Sequence, residues 1–242
     1  MSEQPKKNLI IFDFDQTITK KDSLYSQLIL LNNPSEEQKI IDMDQVLNYV
    51  EVFNYFYQKT LELKIPLSSI NHILDNIPLS PGMEELFKYL RNNREHFSIL
   101  VISSNYEYAV KRVLTSHNII DLIDGIYSNK FTIDEEKNLI KVIQKQTHNC
   151  KDCNPCQCKK EELNLFYKTH NINRDNFLKV LFIADGGNDL CLTKTLNQND
   201  IVFPRIGYSL HNKLSNIEIQ KTVQCKICPW ENAENIINFL NN

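Results

Sequence analysis

Residues 9–18 read Leu9-Ile10-Ile11-Phe12-Asp13-Phe14-Asp15-Gln16-Thr17-Ile18. Four apolar residues run without a break into a pair of aspartates. A short continuous apolar run of this kind predicts a strand buried on both faces. In an open parallel sheet, ligands bind beyond the carboxyl ends of the strands, so Asp13 and Asp15 stand where a site is expected. Carboxylates two residues apart on an extended segment point the same way. One can attack while the other passes protons, provided a cation offsets their repulsion. The plainer reading of Asp-x-Asp alone is a solvated acidic turn after a strand.

Similar apolar runs recur at Phe97–Ile102 and Val180–Ala184, with a weaker one at Asp200–Phe203. Between them lie helical patterns. Met83, Leu86, Phe87 and Leu90 repeat at helical spacing after the punctuation Pro81-Gly82, and Tyr108, Val110, Val113 and Leu114 do the same. This alternation predicts an α/β fold, a three-layer Rossmann-like parallel sheet core. Residues 22–78 break the rhythm, with no clear strand. Pro34-Ser35-Glu36-Glu37 reads as a helix start with Ser35 as its cap. Val46, Leu47, Val50, Phe53, Tyr57, Thr60 and Leu61 form a one-sided stripe. The expectation is a helical cap over 19–79, inserted between core segments 1–18 and 80–242. The alternative is that these helices simply pack on the sheet.

Two further strand ends carry polar groups. Val180–Ala184 runs into Asp185-Gly186-Gly187-Asn188-Asp189, where oxygen ligands of this type suit Mg²⁺ and the glycine pair lets the backbone come close. Phe97–Ile102 runs into Ser103-Ser104-Asn105. A hydroxyl there can reach a phosphate oxygen, although the tripeptide alone is only a turn or helix cap.

Asp13, Asp15, Thr17, Ser103, Asp185, Gly186, Asn188 and Asp189, in this order, resemble the haloacid-dehalogenase-type phosphatase superfamily. The resemblance implies that Asp13 is the phosphorylated nucleophile and Asp15 the proton donor and acceptor. Thr17 and Ser103 would bind phosphate, and a lysine between Ser103 and Asp185 would neutralise it. One Mg²⁺ would be held by Asp13, the Asp15 backbone oxygen and Asp185, with Asp189 in support. Three more segments narrow the match: His148-x-Cys150-x-x-Cys153-x4-Cys158-Lys159, Asp185-Gly186-Gly187-Asn188-Asp189-Leu190-Cys191, and Phe203-Pro204-Arg205-x-Gly207-Tyr208. They resemble the phosphoethanolamine/phosphocholine phosphatase and pyridoxal-phosphate phosphatase family over nearly the whole chain. Lys159, rather than Lys160, is then the neutralising lysine.

Two departures bear on the substrate. In the choline/ethanolamine branch an acid shortly after the first motif faces the cationic head. Ungapped counting puts Leu24 there, with only Asp22 nearby, and Ser104 stands where that branch has aspartate. Losing such partners costs an ammonium about 1.5–3 kcal/mol each. The expected reaction is therefore Mg²⁺-dependent hydrolysis of a small phosphomonoester, pyridoxal phosphate before phosphoethanolamine or phosphocholine, with Asp22 and Ser104 as candidate substrate contacts. An Asp phosphoacceptor switch protein is the alternative from another class. It fits less well, because Asp15 and an inserted cap are present.

The rest of the sequence bounds these readings. The chain has 242 residues, 27 basic and 30 acidic, for a net charge of −3, which gives no electrostatic reason to expect nucleic acid. The longest apolar runs are far short of the roughly 18 residues of a membrane span, and the expected partner is a small phosphorylated metabolite in the cytoplasm. Only five residues are glycine. Gly125 reads as a turn before a short strand. Arg205 either guides an anionic substrate or braces its loop. Trp230 opens a helical pattern running to Leu240. Seven cysteines are present, and Cys150-x-x-Cys153 with Cys225-x-x-Cys228 offers a tetrahedral structural Zn²⁺ site, with His148, Cys156 and Cys158 as competing ligands. The favoured reading is that Cys158 and Cys191 pack in the core while the others are surface thiols.

Overall fold

The computed structural model describes residues 7–137 and 139–241. Residues 1–6 of the expected first core segment lie outside them. Seven strands form one sheet in the order β4-β3-β2-β1-β5-β6-β7. The strands are β1 Lys7–Phe12, β2 Phe97–Tyr106, β3 Gly125–Asp134, β4 Leu139–Ile143, β5 Phe177–Ala184, β6 Ile201–Pro204 and β7 Lys226–Ile227. All pairings are parallel except β3 with β4. The antiparallel β3–β4 pair is the part of the sheet that the apolar runs do not announce. β4 alternates buried and exposed residues instead, and β3 is mostly half-buried, with Ser128 and Asn129 as its buried residues. Gly125 opens β3, where a Cβ would come 2.8 Å from the Tyr127 ring and 3.2 Å from Leu100.

Strand alternation divides the core into two. Ile10, Phe12, Ile99 and Val101 face one apolar cluster, and Leu9, Ile11, Leu100 and Ile102 face the other. The first face is covered by α5 Met83–Asn92, α6 Glu107–Ser116, α11 Glu234–Leu240 and the inserted helices. The second is covered by α7 Lys159–Thr169, α8 Leu190–Thr193 and α9 Ser209–Leu214. A short α10, Ile217–Gln220, follows α9. The result is a three-layer α/β fold with a helical cap.

The cap helices are α1 Ser23–Gln27, α2 Pro34–Asp44, α3 Tyr49–Glu62 and α4 Leu67–Asp75. The chain is pinched where it leaves and rejoins the core. Thr19 bridges Leu79, the Lys20 amide donates to the Pro78 carbonyl at 2.8 Å, and the Ser80 amide donates to Ile18 at 2.9 Å. Gly82 then takes φ +73°, where a Cβ would also strike Asn232. The cap is tied to the hairpin as well. Asn54 accepts from the Val142 amide at 2.8 Å and donates to its carbonyl at 2.9 Å.

Three local expectations change. The cap of α2 is Asn33, whose side chain accepts from the Glu36 amide at 3.2 Å, because Pro34 occupies the first helical position. Val46 and Leu47 are exposed and precede α3, so the buried stripe begins at Tyr49. Trp230 is buried but lies outside the last helix. It donates Nε1–H to the Phe203 carbonyl at 3.0 Å and anchors the strand end.

Candidate active site

Register assembles the site. Phe12 pairs with Val101 on one side and Ile183 on the other. The residues just past these partners therefore meet beyond one edge of the sheet: Asp13, Ser103 and Asp185. β1 is where the strand order reverses, the switch point at which open sheets leave a crevice. The β2–β3 register also shifts between Ile102 and Tyr106, which releases Ser103, Ser104 and Asn105 from the ladder. They and the Asp13 and Asp185 segments line a cavity of about 600 Å³, with Asp22, Asp44 and Tyr49 of the cap on its other wall.

Asp13 is the centre of the arrangement. Its Oδ1 accepts from the Phe14 amide and lies 2.7 Å from Lys159 Nζ. Lys159 is fully buried at the start of α7 and also pairs with Asp189. Burial pulls the ammonium down, but the Asp13 and Asp189 carboxylates outweigh it and hold its pKa above the usual lysine range. Lys160, by contrast, is half-buried and pairs with Glu161.

Asp15 is turned toward the cap. Its Oδ1 accepts from the Ser23 amide and its Oδ2 from Asn105, both at 2.8 Å. Burial, with Asp22 and Asp13 adding repulsion, pushes its pKa well above the ordinary carboxylate value. A carboxyl that holds its proton more tightly than usual is suited to protonate a leaving oxygen. Asp15 contributes no carboxylate oxygen to the metal cluster.

Asp13, Asp185 and Asp189 are buried and present oxygens within 4.8 Å of one another. Burial and mutual repulsion raise Asp185 well above its usual value and Asp189 to about 7. A single ammonium facing three close carboxylates leaves negative charge for a cation to balance, and an all-oxygen set suits Mg²⁺. The cluster fits one such ion.

Thr17 departs from expectation. It is fully buried, does not line the cavity, and donates its hydroxyl to Asp185 Oδ1 at 2.8 Å. In this arrangement that hydroxyl orients a carboxylate. Ser103 and Ser104 do line the cavity, and Ser104 Oγ accepts from Asn188 at 3.2 Å. Among the described residues Arg205 forms no ion pair. It is buried over the Tyr208 and Trp230 rings and donates to the Gln16 carbonyl. Neither glycine of the 186–187 pair needs positive φ. Gly186 has φ −81°, and a Cβ there would strike Asn188 Oδ1 at 2.4 Å.

The cap wall changes the substrate argument. Leu24 is fully buried in the core. Asp22 faces the cavity, caps α1 through the Tyr25 amide at 3.0 Å and accepts from the Tyr49 hydroxyl at 3.2 Å. Asp44 stands beside it, accepting from the Tyr25 hydroxyl at 2.8 Å. Asp44, Tyr49 and Asn105 went unassigned in the sequence. Asn105 was legible as a neighbour of Ser103, whereas nothing local marks Asp44, which lies 31 residues from Asp13.

Comparisons with known proteins bear on the family. A family described as "Putative Phosphatase" matches residues 8–242. The chain is similar to the phosphoethanolamine/phosphocholine phosphatase of Gallus gallus, with 29% identity over 99% of this chain and 90% of that one. It is similar to the pyridoxal phosphate phosphatase PHOSPHO2 of Homo sapiens, with 27% identity over 97% of each. Among solved structures, a phospho-aspartyl intermediate analogue of phosphoserine phosphatase superposes with a TM-score of 0.61 at 19% identity, covering 97% of this chain and 99% of that one. With the family match spanning every strand of the core and the acidic cluster at its switch point, the chain belongs to the "Putative Phosphatase" family and is a phosphatase of the haloacid-dehalogenase type.

Proposed function

We propose that the protein hydrolyses a small phosphomonoester through an aspartyl-phosphate on Asp13, with one Mg²⁺ held by Asp13, Asp185 and Asp189. The observation that carries this reading is the meeting of Asp13, the raised-pKa Asp15 and Lys159 at one end of β1. Asp13 attacks phosphorus, and the ester oxygen leaves with the proton of Asp15. Asp15 then takes a proton from the water that attacks the phosphoryl group on Asp13, which releases phosphate, frees the Asp13 carboxylate and returns Asp15 to its protonated form. Ser103 donates its hydroxyl to a phosphate oxygen, and Lys159 balances charge. The bound cation would further stabilise charge on the transferring group. Residues 19–79 act as the cap that covers the site and selects the leaving alcohol.

Asp22 and Asp44 on the cap wall favour an alcohol that carries a protonatable nitrogen. Pyridoxal phosphate meets this with its ring nitrogen. Phosphoethanolamine meets it with an amine, and the sequence argument against it weakens because an acid does face the cavity. The test is a Mg²⁺-dependent panel of pyridoxal phosphate, phosphoethanolamine, phosphocholine and glycerol phosphate. A nitrogen-bearing ester should exceed glycerol phosphate by at least about tenfold in kcat/KM. Equal rates across the panel remove the substrate class. A long-lived phospho-Asp without turnover of any ester would favour a phosphoacceptor switch instead.

A further inference from the structure

Four cysteines from three separate parts of the chain converge beside the catalytic lysine. Cys150 and Cys153 lie on the loop before α7, Cys158 caps α7, and Cys191 lies in α8. Their sulfurs all fall within 4.8 Å of one another. Cys153 and Cys191 are 2.8 Å apart, and Cys158 and Cys191 are 3.9 Å apart. A tetrahedral thiolate site with metal–sulfur bonds of about 2.3 Å places its sulfurs about 3.8 Å apart, within this range. The pairing of Cys150 and Cys153 with Cys225 and Cys228 that their spacing offered does not occur. That second pair sits at β7, and the place it was given in a zinc site is taken by Cys158 and Cys191.

A second observation points to anionic sulfur. The first amides of α7, an eleven-residue helix, are directed at this cluster: Lys159 at Cys153, Lys160 at Cys191 and Glu161 at Cys158. Amides at a helix N-terminus favour negative charge. Neutral thiols gain little from them, whereas thiolates around a cation need such donors to offset their excess charge. The four sulfurs also belong to the apolar cluster on this face of the sheet, with no carboxylate or imidazole among the converging ligands. An all-sulfur set selects against Mg²⁺ and Ca²⁺ and for a thiophilic ion.

We propose that Cys150, Cys153, Cys158 and Cys191 bind one structural Zn²⁺, separate from the carboxylate site. On binding, each thiol releases its proton to solvent and no electrons are transferred. Cys158 precedes Lys159 and Cys191 follows Asp189 by two residues, so the ion joins the two segments that carry the buried Lys159–Asp189 pair. It also anchors the Lys151–Asn154 stretch of the cavity wall. The metal is thus a staple for the geometry of the site and takes no part in the reaction.

The test is elemental analysis of the full chain purified under reducing conditions without chelator, with Co²⁺ uptake after acid removal of metal. About one equivalent of zinc per chain is expected, together with the intense visible absorption of tetrahedral thiolate-bound Co²⁺. Cys153→Ser with Cys191→Ser should cut zinc more than tenfold, while Cys225→Ser with Cys228→Ser should retain it. Wild-type protein with less than about one-tenth equivalent of zinc and no cobalt spectrum overturns the site, whether or not the variants fold. So does a Cys153–Cys191 disulfide found by mass spectrometry as the sole state of metal-free protein. Equal zinc loss in both double variants, with both folded by circular dichroism, also overturns the assignment.

Discussion

Lys159 Nζ lies 2.7 Å from Asp13 Oδ1 and is itself fully buried, although the two residues are 146 positions apart. An ammonium taken wholly out of water is stable only where carboxylates face it, and here Asp13 and Asp189 do. The pair fixes the orientation of the Asp13 carboxylate before any ligand arrives. Asp13→Asn should therefore abolish turnover while leaving the circular dichroism spectrum intact. Near-wild-type hydrolysis by that variant would end the proposed mechanism. Trapping of wild-type protein by beryllium fluoride, and its absence in Asp13→Asn, gives an independent reading.

Asp15→Asn keeps the shape of the side chain but cannot hold a transferable proton. Both half-reactions should slow, by about 10²–10⁴-fold. Esters with a good leaving group need less protonation, so p-nitrophenyl phosphate should lose less in its phosphorylation step than an alkyl ester. A uniform loss in that step across leaving groups would argue for a structural role of Asp15.

Mg²⁺ affinity should rise with pH. Without the cation, burial and repulsion raise Asp185 well above its ordinary value and Asp189 to about 7, so protons compete for the same oxygens. Calorimetric titration in buffers of different ionisation enthalpy should reveal proton release on Mg²⁺ binding at pH 6. Binding with no proton release there would contradict the assignment. Chelation should remove activity, and added Mg²⁺ should restore it.

Thr17→Val tests the reassigned threonine. Loss of its hydrogen bond to Asp185 Oδ1 should weaken Mg²⁺ binding by about 1–2 kcal/mol, roughly five- to thirtyfold. KM for substrate at saturating Mg²⁺ should change little. A large rise in KM with unchanged Mg²⁺ dependence would return Thr17 to the phosphate.

Asp22 couples stability to pH. Burial, with Asp44 adding repulsion, raises it from 3.8 to about 6. Between these values the folded protein holds a proton that the unfolded chain has released. Its contribution is therefore greatest below pH 3.8 and is lost as pH rises toward about 6. Asp22→Asn should remove that loss, raising the thermal midpoint above pH 6 relative to wild type. A midpoint difference that does not vary between pH 4 and 7 would refute the shift.

Much of the chemistry is legible because strand ends are local features. Leu9–Phe12 followed by Asp13, and Val180–Ala184 followed by Asp185, mark both a buried strand and the polar group it delivers. Burial on both faces demands an unbroken apolar run, and a buried strand that ends in carboxylates needs a reason. The β3–β4 hairpin gives no such signal, since half-exposed strands need no continuous run. The first turn of α2 shows the same limit at small scale, where Pro34 moved the cap from Ser35 to Asn33.

By itself the sequence determined the α/β fold and the order of the acidic motifs, because these depend on short-range pattern, whereas Lys159 was singled out only through the family resemblance. Tertiary structure decided which side chains share a partner. It gave the Thr17 hydroxyl to Asp185 and the Arg205 guanidinium to the Gln16 carbonyl, and it brought Asp44 to the cavity. It also grouped Cys150 and Cys153 with Cys158 and Cys191 in place of the second Cys-x-x-Cys pair. A hydrogen bond or a ligand set is fixed by distances of a few ångströms between remote segments. Those distances come from sheet register and helix packing, which spacing along the chain does not encode.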